Sequence, residues 1–175
     1  ETYDPSRVEL RSTAAEMAVS MEAWRKVMSG AGGKKKQVDA PETGPVISGL
    51  VHLEAKDAQV HGEKLRYETL PQKDTLGYWV DEKDWAEWDC EIPQAGRYAV
   101  EVLQGCVKGG SQVEVTIGGQ SLQFTVTDTG HFQRFVPRRV GVLELPAGKA
   151  SVWVKPLEKK GAVMDLRRVS LIRVP

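Results

Sequence analysis

The chain has 175 residues, enough for one globular domain of ordinary size with an extension. Lys plus Arg and Asp plus Glu both number 24, so the formal net charge is zero, which argues against a nucleic-acid partner held through its phosphates. No run approaches the roughly 18 uninterrupted apolar residues of a membrane span, so no membrane partner is expected.

The chain opens on Glu1 rather than Met and shows no apolar signal-peptide core, which reads as a processed product or an excised domain. Residues 6–29 have helical grammar. Leu10, Ala14, Met17, Met21, Trp24 and Met28 recur in alternating steps of four and three. Ser6 after Pro5 can cap the start and Gly30 can end it. One amphipathic N-terminal helix is therefore expected over residues 1–29. Its stripe needs cover, from the domain that follows, a preceding domain, or a second copy of the helix (self-association). Residues 30–47, rich in Gly, Lys and Pro, read as a flexible linker, with KKK as a solvated charge cluster.

From residue 48 to 175 the period changes to two. Trp88, Cys90 and Ile92 alternate with polar residues, PQAG turns, and Tyr98, Val100 and Val102 alternate back. Val113, Val115 and Ile117 run to a Gly118-Gly119 hairpin turn, and Leu122, Phe124 and Val126 return. LPAGK turns again before Val152 and Val154, and AVMDLRRVSLIRV closes the chain as a last strand. About eight or nine short strands separated by turns predict an all-β, antiparallel jelly-roll β-sandwich.

Cysteines number two. If PQAG makes a hairpin, residue 90 falls opposite roughly residue 99, not 106. Both thiols are expected free, Cys90 in the core and Cys106 near a strand end.

Catalytic signatures are absent: there is no GxSxG, HExxH, Walker loop or GxGxxG. GGSQ and IGGQ are turn glycines with no helix after them. Asp81, Asp84 and Glu87 are expected to be solvated at a loop-to-strand junction. His52 and His61 lack metal-spaced neighbours. No enzyme activity is expected of the chain.

The order of HLEAKDA, GYWVDEKDWAEWDCEIPQAGRYAVEV, LPAGKASVWVKP and VMDLRRVSL resembles the carbohydrate-binding module 6/35 type of galactose-binding-like domain. GYW, DWAEW, LQGC, DTGHFQRF and AVMDLRRV are similar to a domain appended to bacterial secreted sulfatases and α-L-fucosidases. The resemblance covers about residues 48–174. It implies a non-catalytic glycan-binding accessory domain, extracellular or periplasmic, partnered by a polysaccharide or oligosaccharide and by a parent catalytic domain. A competing reading is a structural module that packs on a parent enzyme or builds its oligomer, with no ligand of its own.

The resemblance also implies site residues. Tyr78 or Trp79 stands at the first aromatic clamp position, His131 at the second, and Asp165 at the hydroxyl-binding polar position. His131, Gln133, Arg134 and Arg167 would together suit an anionic group, which suggests sulfated sugar, since guanidinium forks match oxyanions. The family's structural calcium lies between an opening EAE and a closing NLD. Here Lys56 replaces a glutamate and Arg167 the terminal aspartate. No cofactor is expected, and an ion-pair cluster of Glu54, Lys56, Asp165 and Arg167 is expected in its place. Trp88 is expected in the core, and Trp153 on an outer face.

Overall fold

The computed structural model describes residues 49–175; the expected helix and linker lie outside the described residues. Eleven strands follow one another: β1 (Leu50–Glu54), β2 (Gln59–His61), β3 (Arg66–Glu68), β4 (Thr75–Gly77), β5 (Trp85–Ile92), β6 (Gly96–Cys106), β7 (Gln112–Ile117), β8 (Gln120–Thr125), β9 (His131–Leu145), β10 (Gly148–Glu158) and β11 (Asp165–Val174). A 3-10 turn, Ala55–Asp57, separates β1 from β2.

The strands form two antiparallel sheets. One runs β3-β4-β11-β6-β9, with β1 also paired to β11; the other runs β2-β5-β10-β7-β8. Their inner faces meet as period-two patterning demands. Val113, Val115 and Ile117 from one sheet, and Tyr98, Val100, Val102, Val169 and Leu171 from the other, are fully buried. Each such side chain contributes about 1.5–3 kcal/mol of burial free energy. This is the expected all-β sandwich, with more strands than expected because short β2, β3 and β4 lack any alternation long enough to read.

Turn signals were of two kinds. Gly118 and Gly119 have φ of +54° and +85° and join Ile117 directly to its partner Gln120, a two-residue hairpin whose twist needs both glycines. PQAG is different. β5 pairs with β10 and β2, whereas β6 pairs with β11 and β9, so this turn carries the chain from one sheet to the other. The buried Tyr98 pins the crossing by donating its hydroxyl to the carbonyl of Gln94 at 2.7 Å. LPAGK, between β9 and β10, is likewise a crossing. The hairpin expected at PQAG is therefore corrected: a turn signal marks a reversal but not which sheet receives the next strand.

Both cysteines are free, with Cys106 fully buried and Cys90 only half-buried. Burial pushes both thiols above the usual range. Trp88 lies in the core and donates to the Glu54 carbonyl at 2.9 Å. Trp153 lies on the outer face, edge-on to Trp85, which stacks on His61 at 3.8 Å between centroids. Asp84 is not solvated. It is buried, and its carboxylate accepts from the backbone N–H groups of Glu63, Lys64 and Leu65 at 2.7–3.0 Å. It thereby anchors the loop before β3.

Candidate functional site

The site lies where β4, β11 and the start of β9 converge at one end of the first sheet. The start of β9 is irregular for an identifiable reason. Cys106 faces His131, but Gln104 faces Val136, so two steps on β6 oppose five on β9. The residues His-Phe-Gln-Arg-Phe at 131–135 therefore bulge, and their side chains leave the alternation. Gly105 makes this fit: a Cβ there would lie 1.8 Å from the carbonyl oxygen of Phe132. Thr129 secures the approach, its hydroxyl accepting from the Cys106 N–H at 2.9 Å and donating to the His131 carbonyl at 2.9 Å.

A cavity of about 310 Å³ results, lined by Glu68, Lys73, Tyr78, Trp79, Val80, His131, Phe132, Gln133, Ala162 and Asp165. Five residues named from the sequence, Tyr78, Trp79, His131, Gln133 and Asp165, thus line it from three separate segments. Tyr78 is half exposed, with the Arg66 guanidinium 3.5 Å from its ring centroid. Its φ is +57°, a region that bulky side chains avoid. Strain of this kind, of order 1–3 kcal/mol, persists where surrounding structure imposes it, often at ligand sites. Here Trp79 imposes it. Trp79 is buried, its indole N–H donating to the Asp84 carbonyl at 2.9 Å and its own carbonyl accepting from Val163 N–H at 2.8 Å. The aromatic platform at Trp79 is therefore corrected: its ring fills the sandwich end and has no free face for a sugar.

His131 accepts a hydrogen bond at Nδ1 from the Gln133 backbone N–H at 3.0 Å. That bond requires the Nε2–H tautomer, which leaves an N–H free to donate into the cavity. On the opposite wall the carboxylate of Glu68 meets the Lys73 ammonium at 2.6 Å. This bond holds the Lys73 ammonium above its usual pKa range. Asp165 lies beside them. Burial pushes its carboxyl up to about 7, the Glu68 carboxylate adds to the rise, and Lys73 opposes it. Gly77 lets the two acids come together, since a Cβ there would stand 2.5 Å from Glu68 Oε2 and 3.4 Å from Asp165 Oδ1.

Glu68 and Lys73 were not singled out from the sequence. Their only signal is a pair of opposite charges flanking the turn residues TLPQ.

Two expected residues lie elsewhere. Arg134 lines a neighbouring groove with Arg138, not this cavity. Arg167 turns onto the backbone of the 70–74 loop. It donates to the Gln72 carbonyl at 3.0 Å and through Nε to the Lys73 carbonyl at 3.1 Å, with a further short bond from Nη2 to Lys73 O. Its guanidinium also covers the Phe135 ring at 3.8 Å from the centroid. The anionic pocket expected of His131, Gln133, Arg134 and Arg167 is therefore not assembled in this cavity.

The expected cluster of Glu54, Lys56, Asp165 and Arg167 does not form either. Lys56 binds its neighbour Asp57 at 2.7 Å, and Glu54 meets Arg168, its cross-strand partner, at 3.5 Å. The unbroken register of β1 against β11, from Leu50 opposite Ile172 to Glu54 opposite Arg168, puts the neighbour of Arg167 against Glu54. Glu54, the opening carboxylate of that calcium position, is thus met by a cation. Among the described residues no three His, Cys, Asp or Glu side chains are grouped to hold a metal. No helix among them is long and apolar enough to cross a membrane.

No family model matches the chain, and no curated protein matches it. Solved structures do. A family 35 carbohydrate-binding module from Clostridium thermocellum aligns with a TM-score of 0.59 at 17% identity, covering 71% of this chain and 98% of that one. The C-terminal family 6 module of LamC, a marine laminarinase from Zobellia galactanivorans, gives 0.60 at 15% identity, with 71% and 99% covered. The module CBM6cm-2 of Cellvibrio mixtus lichenase 5A, solved with cellotriose, gives 0.58 at 18% identity, with 71% and 98% covered. At such identities the likeness establishes the fold, a β-sandwich shared with carbohydrate-binding modules of families 6 and 35.

Proposed function

We propose that this chain is a non-catalytic glycan-binding accessory domain of a carbohydrate-processing enzyme, binding through the cavity between Tyr78 and Asp165. One observation carries the reading. A strained, half-exposed tyrosine, a histidine with a free N–H donor, a glutamine and a paired-acid wall converge on one concave site of about 310 Å³. That is the equipment a sugar needs: an aromatic edge against C–H surfaces, and fixed donors and acceptors for hydroxyls. The resemblance to modules that belong to a laminarinase and a lichenase supports the accessory role.

The mechanism is positional. Tethering an enzyme to its polysaccharide raises the effective concentration of substrate at the active site. A parent of sulfatase or α-L-fucosidase type, exported to the periplasm or beyond, fits the motifs described above. A neutral or fucosylated glycan suits this cavity better than a sulfated one, because one wall carries two carboxyl groups beside a single ammonium. Calcium plays no part in the proposal, since Glu54 is met by Arg168.

Binding of the chain to an array of neutral, fucosylated and sulfated polysaccharides tests the reading. Retention of a neutral or fucosylated glycan, lost in Tyr78→Ala and His131→Ala, is the expected result. Failure to bind any glycan refutes it.

A further inference from the structure

A groove larger than the cavity just described lies beside it. It has a volume of about 590 Å³ and lies between the β8–β9 loop and the first half of β9. Among the described residues β9 is the edge strand of its sheet. The β9 bulge separates the two sites. His131 and Gln133 face the first, whereas Arg134, Val136 and Arg138 line the second.

Charge distinguishes them. Arg134 and Arg138 both line the groove, and among the described residues no hydrogen bond or ion pair occupies either guanidinium. Asp128 is the single acidic group in the lining, and one of its carboxylate oxygens already accepts from the Gly130 N–H at 2.7 Å. The groove therefore carries a positive excess, opposite to the paired-acid wall next door. At its floor lies Gln104, 1% exposed. Its amide Nε2 donates to the Thr127 carbonyl at 2.8 Å, while its Oε1 is buried without a donor. A buried acceptor left unpaired costs about 1–3 kcal/mol, so its place at a groove asks for a hydroxyl-bearing occupant. Unpaired guanidiniums ask for an oxyanion, which they bind through parallel N–H donors.

We propose that this groove is a second saccharide site, selective for a sugar unit bearing an oxyanion, with Arg134 and Arg138 holding the acidic group. It rests on the reading of the chain as a glycan binder, and it relocates the anionic preference from the tyrosine cavity to the open edge of the sandwich. The acidic group can be a uronate carboxylate or a sulfate ester. Their shared chemistry is a planar or tetrahedral oxyanion on a sugar ring.

Titration calorimetry with the whole chain tests this, using a neutral oligosaccharide, a uronic-acid oligosaccharide and a sulfated oligosaccharide. At least one acidic probe should bind, about tenfold or more weakly in Arg134→Gln/Arg138→Gln and nearly as well in Tyr78→Ala, with affinity falling as salt rises. The two acidic probes tell carboxylate from sulfate. Neutral binding that persists while neither acidic probe binds overturns this inference and leaves the tyrosine-cavity reading standing. Acidic binding that is unchanged in the double arginine variant, or displaced equally by inorganic sulfate, also overturns it. A chain that binds none of the three probes overturns both readings. The arginines lie on the surface side of the edge strand, so a circular dichroism melt of the variant checks that the sandwich is intact.

Discussion

The guanidinium of Arg167 lies 3.8 Å from the centre of the Phe135 ring, and its N–H groups reach the carbonyls of Gln72 and Lys73. One residue of β11 thereby ties the β9 bulge to the loop that carries Lys73. Both walls of the tyrosine cavity depend on this link.

Replacing Arg167 by Lys should therefore not be conservative. An ammonium keeps the charge but cannot serve two carbonyls and a ring face at once. We expect Arg167→Lys to lower stability by about 1–3 kcal/mol in urea denaturation. Hydrogen exchange should quicken in residues 70–74 and 131–135 together. Acceleration in one segment alone would show that the link is not shared.

Tyr78 combines backbone strain with a place in the proposed glycan site. With φ at +57°, its backbone is eased by glycine. Tyr78→Gly should raise the melting temperature, or leave it unchanged, while abolishing glycan binding. Trp79→Ala should instead cost about 3–5 kcal/mol, because it empties the sandwich end and removes the bond to the Asp84 carbonyl. Thermal melts of the two variants, run with a glycan pull-down, check both outcomes.

Asp165 gives a pH dependence of stability. Its folded pKa is raised to about 7, so between the usual carboxylate range and pH 7 the folded state holds a proton that the unfolded state releases. Stability should fall as pH rises from about 4 to about 7 and then level off. Asp165→Asn should flatten that segment and gain roughly 1–4 kcal/mol at pH 7.5. Denaturation curves at a series of pH values measure it, and a wild-type profile already flat from pH 4 to 7 would contradict the assignment.

Gly105 is the position where β6 admits the bulge. In Gly105→Ala the new methyl meets the Phe132 carbonyl, 1.8 Å from its ideal place, and this obstacle is backbone that cannot swing aside. We expect a loss of more than about 2 kcal/mol and a displaced His131, read from its imidazole NMR shifts. Gly77→Ala is the contrasting case. The atom in its way is the far end of Glu68, so stability should hold while the Asp165 carboxyl titrates closer to its ordinary range.

Calcium should leave the protein unchanged. With Arg168 on Glu54 and Lys56 on Asp57, millimolar calcium or excess chelator is expected to shift the melting temperature by less than about 1 °C. A large upward shift would show a site that these contacts do not reveal.

Much of this architecture could be read without coordinates. The alternation of Val113, Val115 and Ile117, the two glycines after them and the returning Phe124 specify a hairpin by themselves, because period two and φ > 0 are local demands. Alternation also places Trp88 inside and Trp153 outside. Tertiary structure decided the rest. Only packing could show that PQAG and LPAGK cross between sheets, since a reversal carries no address for the strand that follows. Only the register of β11 could put Arg168, and not Arg167, against Glu54, because a shift of one residue sends a side chain to another neighbour. The bulge at 131–135 divided His131 and Gln133 from Arg134, so residues expected in one pocket line two separate hollows. Which groups share a cavity depended on contacts between strands distant in sequence.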